Sequence, residues 1–365
     1  MPGPVEAIVC GSERGAGAGR VIGGMVPQPP WCVVEAVEGG LGLNLGDPLS
    51  YPELADAAGR VVSFASRVST GAEFPGWVTS GATESNILAL YLAREEGRRT
   101  VVAFTSAHYS IGKAARLLGM DIVWVNAIDG YAADLARLEG ALEENPGAVV
   151  VATAGTTETG YVDPVGEIAR VARRYDSVVH VDAAYAGAIL RWLPSPKARV
   201  TLDSTVRTLA VDMHKIPEAP IGVGVILSSS RELLERLWFE APYLPGGRQF
   251  GVLGTRPGAP VLAASRIAER LEPHMPGLAS RLMRSTLEAY QALVEGGPYS
   301  SPHTPESPVV CAVPRVRLPR LLERLRSLGY RAYTCPSFGG VRIAVMPHTL
   351  GGALERWVET LLKLG

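Results

Sequence analysis

Lys215 ends the segment Val-Asp-Met-His-Lys, in a chain whose basic residues are mostly arginine and whose other lysines are Lys113, Lys197 and Lys363. An ordinary surface charge in such a chain could be an arginine. A primary amine that forms a Schiff base could not, because guanidinium stays protonated. Lys215 is therefore a candidate imine-forming residue, although an ordinary loop lysine is the alternative when this residue is considered alone.

Three further polar sites each follow a short apolar run. Ser80-Gly-Ala-Thr83 places small residues and hydroxyls before a predicted helix, which suits a phosphate group, although a helix cap without a ligand has the same pattern. Asp182 can hold a protonated pyridine nitrogen, or it can simply begin a turn. His108 can form a platform for a ring, or it can be a structural histidine.

The four features together are more specific than any one of them. A phosphate cradle, an imidazole platform, a pyridinium partner and an imine-forming lysine are what a protein must supply to hold pyridoxal 5'-phosphate. They follow one another along the chain, each at the end of a predicted strand. The sequence therefore predicts a pyridoxal phosphate site and no metal site.

The segments that must position these residues alternate between short apolar runs and helical patterns from residue 46 to about residue 270. Runs such as 121–127, 147–155 and 177–184 are apolar enough to be strands covered on both faces. This pattern predicts an α/β domain with a large, mostly parallel sheet, whose ligands gather at the carboxyl ends of the strands.

The two ends of the chain have different patterns. Residues 1–45 are rich in glycine and proline, which predicts an irregular N-terminal arm. Residues 271–365 predict a small C-terminal α+β domain, including a helix that places five leucines on one face: Leu318, Leu321, Leu322, Leu325 and Leu328. The predicted division is thus an arm at 1–45, a large domain at 46–270 and a small domain at 271–365.

Composition limits the class of partner. The chain has 365 residues, of which 47% are hydrophobic and 19% charged, and its formal net charge is -1. A nearly neutral protein lacks the basic surface that favours nucleic acid or an anionic membrane, and no apolar run has the length of a membrane span. A small-molecule ligand is therefore expected.

The four cysteines indicate a reducing compartment. Cys10, Cys32, Cys311 and Cys335 form no closely spaced pair, which argues against a zinc site or a disulfide framework and favours the cytoplasm. The excess of arginine over lysine is typical of a thermophile, although genome base composition explains it equally well.

Three glycines in the arm resemble part of a dinucleotide fingerprint. Gly15, Gly17 and Gly19 would need a further glycine three residues after the second, but Arg20 and Ile22 occupy the two possible positions. The arm is therefore predicted to be flexible or to cover a partner rather than to bind a nucleotide.

The motifs around these residues resemble those of the group II pyridoxal-phosphate-dependent amino-acid decarboxylases of fold type I, and in particular their archaeal L-tyrosine/L-aspartate decarboxylase branch. The similarity extends from about residue 44 to residue 350. It is carried by Asn-Leu-Gly-Asp, Thr-Ser-Gly-Ala-Thr-Glu-Ser-Asn, Ala-Gly-Thr-Thr-Glu-Thr-Gly, His-Val-Asp-Ala-Ala-Tyr-Ala-Gly, Asp-Met-His-Lys, Gly-Thr-Arg-Pro-Gly-Ala and Val-Arg-Ile-Ala-Val-Met-Pro-His.

The resemblance implies a role for particular residues. Lys215 would form the Schiff base, Asp182 would pair with the pyridine nitrogen, and His108 would stack on the ring. The remaining cofactor contacts would come from Ala184 on the opposite face, from Ala82, Thr83 and His214 at the phosphate, and from Thr156 at the polar edge. Arg342 and Arg256 would bind the substrate, with Arg256 near the cofactor end or a subunit interface.

Two positions depart from the family pattern. Ile216-Pro217-Glu218 follows the lysine where a Met-Gly pair is usual, and Ala82 stands where a second glycine is usual. Neither change removes a reacting group.

The expected reaction is decarboxylation of an amino acid. Three arginines, Arg248, Arg256 and Arg342, could bind a second carboxylate, so aspartate is the first choice, giving β-alanine for coenzyme A synthesis; tyrosine and glutamate stay open. Tyr243 is a candidate proton donor on a loop with Gly246 and Gly247 as hinges, or else a packed surface tyrosine.

Three other functions are also consistent with the sequence. They are a retro-aldol lyase with the same cofactor, an enzyme that modifies seryl transfer RNA, and a cofactor-fold protein that only binds a partner. The near-neutral charge argues against the second of these. The resemblance also implies a homodimer with active sites at the subunit interface.

Overall fold

The computed structural model describes residues 18–365. Cys10, Gly15 and Gly17 lie outside the described residues. In chain order the strands are β1 (Val21–Ile22), β2 (Gly76–Thr79), β3 (Thr100–Phe104), β4 (Asp121–Val125), β5 (Val149–Thr153), β6 (Val178–Asp182), β7 (Val206–Asp212), β8 (Gly224–Ser228), β9 (Trp238–Glu240), β10 (Arg248–Phe250), β11 (Tyr299–Ser300), β12 (Val309–Pro314), β13 (Arg331–Ala332), β14 (Thr334–Cys335) and β15 (Gly340–Ala344).

The α-helices connect these strands. In chain order they are α1 (Val34–Gly40), α2 (Pro52–Thr70), α3 (Ala82–Glu95), α4 (Ser110–Leu118), α5 (Leu135–Glu144), α6 (Val165–Arg174), α7 (Arg231–Glu235), α8 (Ala259–Leu271), α9 (Met275–Tyr290), α10 (Leu318–Ser327) and α11 (Ala353–Leu364).

A seven-stranded sheet forms the centre of the molecule, with the strand order β2-β8-β7-β6-β5-β3-β4. Every neighbouring pair is parallel except those made by β8, which runs antiparallel to both β2 and β7. The predicted α/β class with a mostly parallel sheet is confirmed. The carboxyl ends of β2, β3, β5, β6 and β7 consequently lie on one edge of the sheet, where the predicted site residues follow them.

Burial follows the position of each strand in the sheet. Every residue of β5, β6 and β8 is buried, as the continuous apolar runs predict. The prediction that residues 121–127 are covered on both faces is wrong, because β4 is an edge strand with β3 as its one partner and exposes Asp121 and Trp124.

Helix α2 shows how the sequence fixes an element beside the sheet. It begins at Pro52, whose missing N–H costs nothing in a first helical turn, and it ends at Thr70, before Gly71, which has a φ of 82°. Its buried face carries Leu54, Val61 and Phe64, and it packs on α8.

The C-terminal residues form a second, four-stranded antiparallel sheet with the order β11-β12-β15-β14. We propose that the boundary between the large and small domains lies near residue 270, between α8, which packs on α2, and α9, which packs on β12. In α10, Leu321 and Leu325 are buried as predicted, but Leu328 follows the helix end and is half exposed.

The described part of the arm packs on both the large domain and the small C-terminal domain. Strand β1 pairs in parallel with β13, and α1 packs on α8. A Cβ on Gly23, which has a φ of 71°, would lie 1.9 Å from the carbonyl oxygen of Arg342. Only glycine therefore allows these two backbone segments to approach so closely. No helix within residues 18–365 is long and apolar enough to cross a membrane.

Candidate active site

A cleft of about 270 Å³ opens at the carboxyl edge of the large sheet. Its walls come from the loops that follow β2, β3, β5, β6 and β7, together with one residue of the arm. The lining residues are Met25, Ser80, Gly81, Ala82, Thr83, Asn86, His108, Thr153, Gly155, Thr157, Asp182, Ala184, Tyr185, Asp212, His214, Lys215 and Ile221.

The Lys215 amine lies in this cleft beside a carboxylate. Its Nζ is 3.0 Å from Oδ2 of Asp212, the last residue of β7. The other oxygen of Asp212 accepts a hydrogen bond of 2.6 Å from the backbone N–H of Ala82. Asp212 therefore joins the lysine to the first turn of α3, and the Ala82 N–H predicted to hold phosphate is already bonded to this carboxylate.

The turn between β2 and α3 has the shape of an anion cradle. Gly81 has a φ of 131°, and a Cβ there would lie 3.2 Å from Cε1 of His214. The Nδ1 of His214 donates to the carbonyl oxygen of Val223, which fixes the ring against this turn. Helix α3 starts at Ala82, so its N-terminus faces the cleft with the partial positive charge that favours a phosphate.

Asp182 is buried at the end of β6 and accepts two hydrogen bonds. Its Oδ1 accepts the N–H of Ala184 at 3.1 Å, and its Oδ2 accepts the side-chain amide of Asn86 at 2.9 Å. Ala184 also lines the cleft, as the resemblance implies. The carboxylate is thus held in one orientation on the floor of the cleft.

His108 follows β3 and stands at the wall of the same cleft. Its Nδ1 lies 2.9 Å from the hydroxyl of Ser110. Burial lowers the pKa of His108 below its ordinary value, and the nearby Asp182 carboxylate offsets only part of this effect. The imidazole is therefore suited to a neutral, stacking role rather than to binding an anion.

Of the residues that follow β5, Gly155 and Thr157 line the cleft, but the predicted Thr156 does not. Thr156 is buried, and its hydroxyl lies 2.9 Å from that of Thr159 and accepts the N–H of Tyr161. Thr157 lines the cleft instead. The tight turn of residues 154–162 rotates successive side chains in ways that the motif alone does not reveal.

Arg342 lies behind the cleft rather than in its lining. Its Nε donates to the carbonyl oxygen of Gly23, its Nη1 donates to that of Thr157, and its guanidinium lies over the Tyr333 ring. Burial lowers the pKa of Arg342 from its ordinary value. The arginine predicted to bind the substrate therefore contacts the cleft wall through Thr157 and the arm.

The assignment of Arg256 to substrate binding is not supported by its position. Its guanidinium is buried and pairs with Glu84, and Nη1 also donates to the carbonyl oxygen of Val78 at 3.1 Å. Glu84 in turn accepts the N–H of Ser80 at 2.7 Å, as an acidic residue in the first turn of a helix often does. Arg256 therefore supports the turn between β2 and α3 from behind.

Tyr243 is outside the cleft of this chain. It lies between β9 and β10 with 84% of its surface exposed, and Gly247 in the same loop has a φ of 64°. The exposure contradicts the alternative of a packed surface tyrosine. Its approach to a reacting atom would need a loop movement or a neighbouring subunit.

Three residues with clear contacts in the site had no role assigned from the sequence: Asn86, Ser110 and Asp212. The spacing of the sequence contained a signal for two of them, Asn86 and Asp212. Asn86 falls one helical turn after Thr83, and Asp212 falls three residues before Lys215 at the end of the same apolar run. Within residues 18–365 there is no group of three or more histidine, cysteine or acidic residues that could hold a metal ion.

The residues present fit pyridoxal phosphate. An amine 20% exposed at the end of β7, a fixed buried carboxylate after β6, an imidazole with a lowered pKa after β3 and a glycine-containing helix N-terminus after β2 converge on one cleft. These are the groups that bind the aldehyde, the pyridine nitrogen, the ring face and the phosphate of that cofactor.

Comparison with known proteins gives the same result. The family model described as "Pyridoxal-dependent decarboxylase conserved domain" matches residues 65–256. A probable L-tyrosine/L-aspartate decarboxylase of Methanopyrus kandleri is 32% identical over 95% of this chain and 96% of its own length. A probable L-aspartate decarboxylase of Haloarcula marismortui is 32% identical over 94% of this chain and 96% of its own length.

Solved structures share the fold at lower identity. A glutamate decarboxylase of Lactobacillus brevis has a TM-score of 0.84 and 17% identity, covering 96% of this chain and 89% of its own. The structure of Oryza sativa TDC with PLP and tryptamine has a TM-score of 0.77 and 18% identity, covering 95% of this chain and 83% of its own. From its site geometry, its matched family model and its full-length relatives, the chain belongs to the pyridoxal-dependent decarboxylase family and is a pyridoxal-phosphate-dependent carboxy-lyase.

Proposed function

We propose that this enzyme decarboxylates L-aspartate to β-alanine, a precursor for coenzyme A synthesis. The observation that carries the substrate choice is the naming of full-length relatives at 32–33% identity as probable L-aspartate decarboxylases. In the reaction the α-carboxylate leaves as carbon dioxide and a proton takes its place on Cα, so the product keeps the second carboxylate.

The roles of the cleft residues follow from their contacts. When bound, pyridoxal phosphate supplies an aldehyde that forms an imine and a ring that accepts the electron pair left by the departing carboxylate. Lys215 provides the amine that binds it, and Asp212 holds that amine in place through the 3.0 Å contact. Asp182 would hold a proton at the pyridine nitrogen, which would strengthen the ring as an electron acceptor, and His108 and Ala184 would contact the ring.

The phosphate end is assigned to the turn between β2 and α3. The first turn of α3 offers Thr83 and the helix N-terminus, and His214 closes one side of the cradle. The bond between the Ala82 N–H and Asp212 sets the position of this turn relative to Lys215. One carboxylate therefore joins the turn that would hold the phosphate to the lysine that would form the imine.

The second carboxylate of aspartate needs a cation. Among the described residues that line the cleft, the cationic or cation-forming side chains are Lys215, His108 and His214, which have other roles. Arg342 is the candidate, because it contacts the backbone of Thr157, which lines the cleft, and of Gly23, two residues before the lining residue Met25. We assign Arg342 to the substrate carboxylate on this ground.

We further propose a homodimer whose subunits complete each other's cleft. Large apolar side chains are exposed in the arm and in the loops beside the cleft; they include Trp31, Leu41, Leu49, Ile221 and Tyr243. The loop containing Tyr243 meets the segment that follows the arm, since a Cβ on Gly246 would lie 3.0 Å from Cδ1 of Leu49. Exposed apolar patches of this kind are typical of subunit interfaces.

The unpaired thiols Cys32, Cys311 and Cys335 support a cytoplasmic location.

L-Tyrosine is the second candidate substrate, because the Methanopyrus relative is named for both amino acids. The test is to load the full-length protein with pyridoxal phosphate and assay carbon dioxide and amine release from aspartate, tyrosine and glutamate. We expect β-alanine from aspartate. Tyramine as the main product would reverse the substrate assignment and leave the cofactor assignment intact.

Lys215 is tested in the same preparation. Lys215→Ala removes the amine that forms the imine, so we expect loss of the absorbance band of the bound cofactor and of all turnover. Lys197→Ala, which changes another partly buried lysine, is the matched control and should keep both. A band that persists in Lys215→Ala would contradict the assignment of the lysine.

A further inference from the structure

Asn86 is a buried junction between the two predicted cofactor-contacting side chains Asp182 and His108. Its Nδ2 lies 2.9 Å from Oδ2 of Asp182 and 2.9 Å from the hydroxyl of Ser110. Its Oδ1 lies 2.9 Å from Nε2 of His180. All of its polar atoms therefore have partners in this chain, and each partner constrains which atom donates.

The donors and acceptors can be assigned one by one. A carboxylate only accepts, so the amide NH2 of Asn86 must face Asp182, and its oxygen must face His180. His180 then carries its hydrogen on Nε2, and its Nδ1 accepts from the hydroxyl of Thr208 at 2.8 Å. Burial lowers the pKa of His180 to about 4, in keeping with a neutral ring that donates once and accepts once.

The second amide hydrogen of Asn86 determines the state of His108. It is donated to the Ser110 oxygen, which leaves the Ser110 hydroxyl hydrogen for Nδ1 of His108 at 2.9 Å. The backbone N–H of Ser110 points at the same nitrogen at 3.3 Å and can only donate. Two donors directed at Nδ1 require that this nitrogen carry no hydrogen.

We propose that Asn86 and Ser110 are positioning residues that hold His108 as the neutral tautomer with its hydrogen on Nε2. A protonated His108 stacked on a protonated pyridine ring would place two positive charges face to face. A neutral His108 ring avoids this repulsion. The Asn86 amide therefore orients Asp182 directly and, through Ser110, keeps His108 uncharged. The proposal deepens the roles assigned above to Asp182 and His108.

Charged groups face His108 from several elements. They are Asp182 at the end of β6, Asp212 at the end of β7, Lys215 in the loop after β7, and Lys113 on helix α4, which begins two residues after His108. The two carboxylates favour protonation and the two lysines oppose it. The hydrogen bonds to Nδ1 therefore act on a ring whose surrounding charges are balanced two against two.

The tautomer can be read directly by nitrogen-15 NMR of the full-length, cofactor-free protein labelled at histidine. The chain has six histidines, so single substitutions assign each signal. We expect His108 and His180 both to show a protonated Nε2 and an unprotonated Nδ1 at pH 7. A His108 signal with hydrogen on Nδ1, or on both nitrogens, overturns the proposal without any variant of Asn86 or Ser110.

Ser110→Ala removes the hydroxyl donor to Nδ1, so the neutral form loses stabilisation and the pKa of His108 should rise by roughly half to one unit. Ser110→Thr keeps a hydroxyl and should restore the original pKa. An unchanged His108 titration in Ser110→Ala contradicts the role of the hydroxyl.

Thr208→Val is the matched control, because it removes another buried hydroxyl from the far end of the same chain of hydrogen bonds. It should alter the His180 signals and leave those of His108 unchanged. If the NMR signals of both His108 and His180 shift in both variants, the packing around the site has loosened generally, and this outcome would overturn a specific positioning role. Since these spectra contain no cofactor or substrate, their outcome is separate from the choice of aspartate.

Discussion

The buried pair between Arg256 and Glu84 gives the most direct test of how the cleft is built. Replacing Arg256 with methionine keeps an unbranched apolar side chain but removes the charged guanidinium. Glu84, whose side chain is only 6% exposed, would then be left without its cation, and the Val78 carbonyl oxygen would lose a donor at 3.1 Å.

The expected loss of stability follows from this burial. Breaking a buried ion pair by removing one partner costs about 3–5 kcal/mol, mainly because the remaining charge is uncompensated. In the double variant Glu84→Gln with Arg256→Met no charge is left, and the glutamine oxygen can still accept the Ser80 N–H. The double variant should therefore recover about 2 kcal/mol relative to Arg256→Met alone.

The assay is urea unfolding of the full-length, cofactor-free protein. Arg266→Met is the matched control, because Arg266 forms an exposed pair with Glu269 on α8, and its loss should cost less than about 0.5 kcal/mol. If Arg256→Met instead leaves the unfolding midpoint unchanged and raises only KM for the amino acid, Arg256 does not stabilise the fold through Glu84 and contacts substrate, as the sequence suggested.

Three further outcomes follow from single residues. Burial raises the pKa of Asp163 to about 7 in the folded protein, whereas an aspartate in the unfolded chain ionises near pH ~4. The free energy of unfolding should therefore fall by about 4 kcal/mol as the pH rises from about 4 to about 7. Asp163→Asn keeps an acceptor for the Thr153 N–H and should remove this pH dependence in urea titrations across that range. Tyr243→Phe should change stability by less than about 0.5 kcal/mol, because Tyr243 is exposed, yet lower kcat roughly 100-fold if its hydroxyl donates the proton; equal kcat in the two proteins would remove it from the reaction. Gly81→Ala should cost about 1–3 kcal/mol at a φ of 131° and weaken cofactor binding roughly tenfold or more by fluorescence titration, whereas unchanged affinity would show that the turn does not hold the phosphate.

Local sequence was sufficient for the elements whose burial is uniform. The apolar runs at β5 and β6 predicted central strands because a strand covered on both faces needs apolar side chains at every position. Local sequence was insufficient at β4, which has a similar apolar composition. The strand that lies at the edge is set by the order of strands in the sheet and not by the composition of any one strand. Leu328 is a similar case, since the helical pattern continued one residue beyond the helix end.

For the active site, the residue types that follow each strand could be read from the sequence. Because parallel strands bring their carboxyl ends to one edge whatever their order, Lys215, Asp182 and His108 line one cleft. The neighbours of these residues follow only from the folded chain: Asp212 lies beside the lysine, Asn86 lies between Asp182 and Ser110, and Glu84 rather than a substrate lies beside Arg256. These contacts join residues from 24 to 172 positions apart as well as near neighbours, and their geometry depends on helix packing and turn rotation that no short motif specifies.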